Sequence, residues 1–208
     1  MSISALNKYS TLVDRMKIES GDRSHPIWLL VNPKYPFVCW DIWIPILEEI
    51  QAKVHCKLHK RIDTEKLFMK NAVSDIGITK TPNCLVAEVA KQIVILRESV
   101  LEHQPKIIIT FGTSTYEFLK RVLEIRSEEG PKYWSTTNLE DEFERSIANF
   151  DINQINRIPL LRRVIKSGKS IKDRNDCSWE DSENYFRDVG TKIANRIIEN
   201  EDSLKIWL

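Results

Sequence analysis

Two asparagines occupy positions at which an amide side chain can bind a ligand. Asn32 ends the apolar run Ile27–Val31 and precedes Pro33, and Asn71 ends a second run over 66–72. An amide both donates and accepts hydrogen bonds, and ligands of open parallel sheets bind outside the carboxyl ends of the strands. We therefore expect both asparagines at the mouth of a site. The alternative is structural: each asparagine would only shape the turn that follows its strand.

Aromatic residues and one carboxylate follow Asn32 closely. The aromatic residues are Tyr35, Phe37, Trp40 and Trp43. Aromatic rings stack on flat heterocycles, but they also fill cores, and we expect at least two of the four to do the latter. Asp41 is the nearest downstream carboxylate. It either activates a water molecule or caps the helix that apolar spacing predicts over 42–53.

Basic residues are densest after the last predicted strand. That stretch contains Arg162, Arg163, Lys166, Ser167, Gly168, Lys169, Ser170, Lys172 and Arg174. Cationic side chains, hydroxyls and backbone amides of this kind contact phosphate groups, and Lys34 would add a further cation beside Asn32. The alternative is a solvated basic loop without a ligand.

Size, charge and hydropathy exclude several classes of protein. The chain has 208 residues, of which 42% are hydrophobic, enough for one domain with a real core. Its net charge of +1 neither requires nor excludes nucleic acid, because a local basic face matters more than the total. No stretch approaches the roughly 20 apolar residues of a membrane span, and the amino terminus lacks the apolar core of a secretory signal. We expect a cytoplasmic monomer that does not bind membranes.

The four cysteines argue against a metal or a disulfide framework. They are scattered and form no C-x-x-C pair: Cys39, Cys56, Cys84 and Cys177. Zinc and iron–sulfur sites draw their ligands from paired spacings. We therefore expect no metal and no cofactor.

The elements that position these residues alternate along the chain. Apolar runs predict strands over 27–31, 66–72, 106–112 and 157–165. Apolar residues spaced by three and four predict helices over 4–18, 42–53, 85–103 and 182–199, and one more that Thr113 or Ser114 caps. This order predicts an α/β fold: three layers, α/β/α, around a four-stranded, mostly parallel sheet. We expect a single domain over 1–208, with 126–156 as an insertion that includes a helix over 138–148.

These motifs, in this order, resemble the uracil-DNA glycosylase superfamily. Its first strand ends in G-x-[DN]-P, here Val31-Asn32-Pro33-Lys34-Tyr35, and its second ends in an asparagine, as in Phe68-Met69-Lys70-Asn71-Ala72. The segment Pro105 to Gly112 is similar to the family pattern P-x-x-I-[IV]-x-x-G. The asparagine form of the first motif looks like the mismatch-specific and thymine-DNA glycosylase branch. The resemblance implies that Asn32 positions the hydrolytic water and that Asn71 reads an extruded base.

The chain also departs from the family pattern. Leu30 and Val31 stand where the family glycine would precede Asn32. The fourth strand of the family leads into His-Pro-Ser, whereas this chain has Lys166-Ser167-Gly168, which leaves the role of that histidine unfilled. The departures, together with the long segment 126–156, imply an altered pocket.

The resemblance implies a DNA glycosylase that hydrolyses the N-glycosidic bond of a flipped pyrimidine and leaves an abasic site. Asn32 or Asp41 would act on the water, and Asn71 and the aromatic residues would hold the base. The altered pocket suggests a modified base, such as the modified cytosines of phage DNA, so that the setting would be antiviral defence as well as DNA repair. The missing histidine and glycine favour an alternative, a catalytically silent member that binds DNA or protein. The balanced charge also permits a hydrolase of nucleosides or nucleotides.

Overall fold

A computed structural model describes residues 18–32, 38–72, 83–125, 136–162 and 179–208. Its strands are β1 (Glu19–Ser20), β2 (Ile27–Val31), β3 (Phe68–Asn71), β4 (Ile107–Phe111) and β5 (Asn156–Leu160). Its helices are α1 (Ile44–Leu58), α2 (Asn83–His103), α3 (Thr113–Val122), α4 (Thr136–Ala148) and α5 (Trp179–Glu199). A π-helical turn, Cys39–Trp43, leads into α1, and a 3₁₀ turn, Glu201–Ser203, follows α5.

The predicted α/β fold is confirmed, but the sheet is larger than expected. Its order is β1-β3-β2-β4-β5, and β2 to β5 run parallel to one another. The prediction of four strands was wrong because β1 adds a two-residue antiparallel edge along β3. An exposed pair of polar residues carries no apolar run from which a strand could be predicted. The helix predicted over 4–18 lies, apart from Ile18, outside the described residues.

The sheet is covered by helices on both faces. Alternate residues of β2 point to opposite faces. Leu29 and Val31 belong to a core shared with α1, α4 and α5, and Trp28 and Leu30 belong to a core shared with α2 and α3. All five residues of β2 are buried. This is why β2 appears in the sequence as an unbroken apolar run.

The segment predicted as an insertion contributes to the main core. Its helix α4 places Phe143 and Ile147 in the apolar cluster that also contains Val31. The described part of 126–156 thus supplies side chains to the core, and its status as an insertion stays a prediction.

The last strand ends earlier than its apolar run suggests. The prediction extended to Ile165, whereas β5 ends at Leu160. The amide of Leu161 donates to the hydroxyl of Tyr185 on α5, at 3.0 Å, instead of continuing the ladder. Pro159 is tolerated within β5 because β5 is an edge strand, where a missing N–H costs little.

Helix starts also differ from the predicted caps. The N-cap of α3 is Gly112, with φ of 81° and no side-chain cap, so neither Thr113 nor Ser114 caps it. The N-cap of α1 is Trp43, again without a side-chain cap, and Pro45 lies in its first turn, where proline is tolerated. Among the helices of the described ranges, none is long and apolar enough to cross a bilayer.

Candidate functional site

The topology places a crevice at the carboxyl ends of β2 and β4. The chain leaves β2 through α1 to reach β3 on one side, and it leaves β4 through α3 and α4 to reach β5 on the other side. Adjacent strands whose connections diverge in this way form a topological switch point, where open α/β sheets bind their ligands. Asn32 follows β2 at this point, and Gly112 follows β4.

The two predicted asparagines lie at the ends of adjacent strands. Val31 is the register partner of Asn71, and the amide of Ala72 donates to the carbonyl of Val31 at 2.8 Å. Neighbouring strands are roughly 4.8 Å apart, so Asn71 lies beside the chain that Asn32 ends. Register partners share a face, which puts Asn71 on the α1 and α5 side with Val31. Asn32 is 2% exposed, whereas Asn71 is half-buried.

The residues of the π-helical turn divide between the surface and the core. Trp40 is 71% exposed, and Trp43 is 4% exposed. The ring of Trp43 packs edge-on against Phe111, with centroids 6.3 Å apart at 74°. Trp43 therefore fills the core beneath the end of β4, and Trp40 is the described aromatic residue of this group that solvent reaches. Asp41 is exposed and does not cap α1, so that structural alternative was wrong.

Arg162 lies against the start of α3. A Cβ on Gly112 would come 3.1 Å from the Cβ of Arg162, and the amide of Gly112 donates to the carbonyl of Leu160 at 2.7 Å. The hydroxyl of Thr115 donates back to the carbonyls of Phe111 and Gly112, at 2.7 and 3.0 Å, and so does not cap the helix. The aliphatic part of the Arg162 side chain thus lies beside the amino-terminal end of α3 at the carboxyl edge, and the positive end of a helix dipole favours anions.

Two further buried polar residues, one on β4 and one on α3, were missed by sequence reasoning. Thr110, the register partner of Leu30, is fully buried, and its hydroxyl has no hydrogen-bond partner among the described residues. Glu117 on α3 is 5% exposed and accepts a hydrogen bond from Nε of Arg121 at 3.2 Å. A threonine within an apolar run looks like any strand residue. The carboxylate of Glu117, four residues before an arginine, looks like a surface helix pair.

Much of the predicted interface lies outside the described residues. This holds for Lys34, Tyr35, Phe37, Arg163, Lys166, Ser167, Gly168, Lys169 and Ser170. Their roles stay predictions. Within the described ranges, no group of three or more histidine, cysteine or acidic side chains is arranged to hold a metal ion.

Neither a comparison with protein-family models nor a comparison with curated protein sequences finds a match to this chain. The function of the carboxyl edge therefore has to be inferred from its own residues.

Proposed function

We propose that this protein is a DNA glycosylase that hydrolyses the N-glycosidic bond of a flipped, modified pyrimidine and leaves an abasic site. One observation carries the proposal: Asn32 directly follows β2 and Asn71 ends the adjacent parallel strand β3, beside the topological switch point of the sheet. Base excision requires the protein to position a water molecule and to form hydrogen bonds with the base. Two amides at this position can do both.

The reaction builds positive charge on the sugar and negative charge on the departing base. Asparagine is not a base, but its carbonyl can hold a water molecule in line with the sugar, and correct placement of reactants supplies much of a rate enhancement. We assign this role to Asn32. Asn71, with one donor and one acceptor group, would pair with the edge of a pyrimidine and stabilise charge as the base departs.

Other described residues that follow the strands of the sheet supply features that DNA binding requires. Trp40 is exposed and can stack on a base that has left the helix. Arg162 and the amino-terminal end of α3 can contact a phosphate at the same edge. The cationic residues of 163–170, which lie next in the chain, would extend this contact along the backbone.

The choice of a modified base rests on the resemblance. The family histidine is replaced and the segment 126–156 is long, so the pocket differs from one that accepts plain uracil. Modified cytosines of phage DNA are the substrate class that we favour. The protein would then act in the cytoplasm, as a monomer, in antiviral defence.

An abasic-site assay on a panel of DNAs tests the proposal. Single-stranded and duplex DNAs containing uracil, mismatched thymine or modified cytosines are incubated with the protein, and alkali then cleaves any abasic site. Asn32→Ala should release base at least about 100-fold more slowly, because misplacement of a reactant costs that much. Asn153→Ala, which removes an exposed asparagine between α4 and β5, is the matched control and should keep full activity.

Two results would overturn the assignment of roles. Full activity in Asn32→Ala would remove Asn32 from the chemistry, and loss of activity in Asp41→Ala alone would transfer the role to that carboxylate. Folding of each variant is checked by circular dichroism.

A second candidate is a catalytically silent protein that binds DNA through the same surface. Asn32 is only 2% exposed, and a buried asparagine also suits a purely structural role. This burial favours the second candidate. This candidate predicts DNA binding without abasic sites on any DNA of the panel. Cleavage of free nucleosides would instead indicate a nucleoside hydrolase.

A further inference from the structure

A cleft of about 230 Å³ opens between α4, the end of β5 and α5, at the edge of the sheet away from β1. Its walls are apolar: Leu139, Phe143, Pro159, Leu161 and Val189, joined by the ring of Tyr185. Pockets for drug-sized ligands begin at roughly 300 Å³, so this cleft has room for a group about the size of one side chain.

The rim of the cleft is acidic. Glu140, Glu144 and Asp188 all line it. The Nζ atom of Lys192 pairs with Glu144 at 2.7 Å and with Asp188 at 2.8 Å, so one cation is shared by two carboxylates. Within the described part of the chain, Glu140 forms no hydrogen bond and no ion pair. The rim therefore keeps an excess of negative charge, and one carboxylate of the cleft is unmatched.

Glu140 is exposed at the rim, but two influences disfavour its charged form. Partial burial of its carboxyl group, together with the neighbouring charge of Asp141, raises the pKa of Glu140 above its ordinary value. A carboxylate that has given up part of its water without gaining a partner is destabilised in its charged form. A cation paired with Glu140 would stabilise the charged form of its carboxyl group.

Tyr185 fixes the inner wall of the cleft. Its hydroxyl accepts a hydrogen bond from the amide of Leu161 at 3.0 Å, which joins α5 to the end of β5. Burial raises the pKa of this hydroxyl, so it stays neutral and contributes no charge at neutral pH. The inner wall is thus apolar and uncharged, whereas the mouth is anionic.

We propose that this cleft binds a primary amine carried on an apolar stem. The ammonium group pairs with Glu140 at the mouth, and the stem lies against Leu139, Leu161 and Val189. A lysine side chain of a partner protein and a free alkyl amine share this chemistry. The inference does not depend on the glycosylase proposal, because none of these residues belongs to the carboxyl crevice between β2 and β4.

An NMR titration of the full chain with n-butylamine tests the proposal, and the amide of Leu161 provides a local signal because it binds Tyr185. Butylamine should shift this signal in a saturable way, whereas n-butanol, which has the same stem without the charge, should not. Glu140→Gln should weaken binding about tenfold, the usual effect of removing a charged hydrogen bond. Glu140→Arg should abolish binding because its own cation occupies the rim.

Asp141→Asn is the matched control. It changes the net charge as much as Glu140→Gln does, one residue along the same helix, but Asp141 does not line the cleft. It should keep butylamine affinity within about twofold. Equal losses in Asp141→Asn and Glu140→Gln, an equal response to butanol, or a lack of saturation would each overturn the proposal. Melting curves verify that the variants fold.

Two further titrations distinguish the sources of the amine. A lysine-containing tripeptide that binds more tightly than spermidine would indicate a lysine of a partner protein. The reverse order would indicate a free polyamine. If neither binds more tightly to the wild type than to Glu140→Gln, the proposal is wrong.

Discussion

Among single residues, His25 should make the stability of the protein depend on pH. It is 5% exposed, its Nδ1 lies 3.1 Å from the amide nitrogen of Ile27, and its Nε2 has no partner among the described residues. Burial lowers the pKa of His25 below its usual value, although Asp63 and Asp22 oppose this. The unfolded chain then binds a proton that the folded chain rejects. The free energy of unfolding should therefore fall as pH decreases from about 6.5 towards the lower pKa of the folded state, and be unaffected by this group above that range.

Urea denaturation at pH 8, 6.5 and 5 measures this effect. His25→Gln should lose less stability between pH 8 and 5 than the wild type does. His55→Gln, which removes an exposed histidine on α1, is the control. An identical pH dependence in the wild type and His25→Gln would show that His25 does not titrate as inferred.

The burial of single polar residues such as His25 was not predictable from the sequence, because nothing near it in the chain indicates burial. The burial of Thr110 and of Glu117 was not predictable either, since it depends on packing between distant elements. The positions of Asn32 and Asn71 were predictable because each follows or ends an apolar run, and a strand end needs only local information.

At the level of helices and strands, apolar runs located β2 to β5, but the ends of these elements depended on contacts made elsewhere. The run after β5 continues, yet the strand ends because Tyr185, from another helix, accepts the next amide. The π-helical turn before α1 is a second example. One extra residue in a turn rotates the side chains that precede the helix, so the sequence could not tell which tryptophan would face the solvent.

The two tryptophans of this turn should respond differently to truncation. Trp43→Ala removes a core ring packed on Phe111 and should lower the free energy of unfolding by about 3–5 kcal/mol. Trp40→Ala should change that free energy by less than about 0.5 kcal/mol, but should weaken binding to single-stranded DNA by about 1–3 kcal/mol if its ring stacks on a base. Urea denaturation and fluorescence anisotropy measure the two quantities. Unchanged DNA affinity in Trp40→Ala would remove this residue from the interface.

For the molecule as a whole, the layers were predictable because the strands alternate with helices of the right period. The size of the sheet was less predictable, because β1 exists only through its pairing with β3. The near-neutral net charge of +1 means that any affinity for DNA must arise from a local concentration of cations. In this chain the candidates are Arg162 and the basic residues that follow it.

Charge reversal in this stretch tests that inference. Lys166→Glu combined with Lys169→Glu should weaken DNA binding and reduce the slope of log affinity against log salt by about 1 for each phosphate that the protein no longer neutralises. Fluorescence anisotropy at several salt concentrations measures the slope. Lys57→Glu combined with Lys91→Glu, exposed positions on α1 and α2, changes the net charge equally and should leave the slope nearly unaltered. Similar effects in both double variants would indicate a general influence of charge without a defined interface.

The short edge strand β1 has a consequence for assembly. The carbonyl of Ile18 accepts a hydrogen bond from the amide of Asn71 at 3.1 Å, and Glu19 neutralises the buried Lys70 at 3.2 Å. A chain shortened beyond Ser20 would expose the backbone groups of β3 and leave an ammonium without its counter-ion. Unpaired strand edges pair with other chains. Residues 18–20 therefore protect β3, the strand that ends in Asn71, from edge-to-edge aggregation.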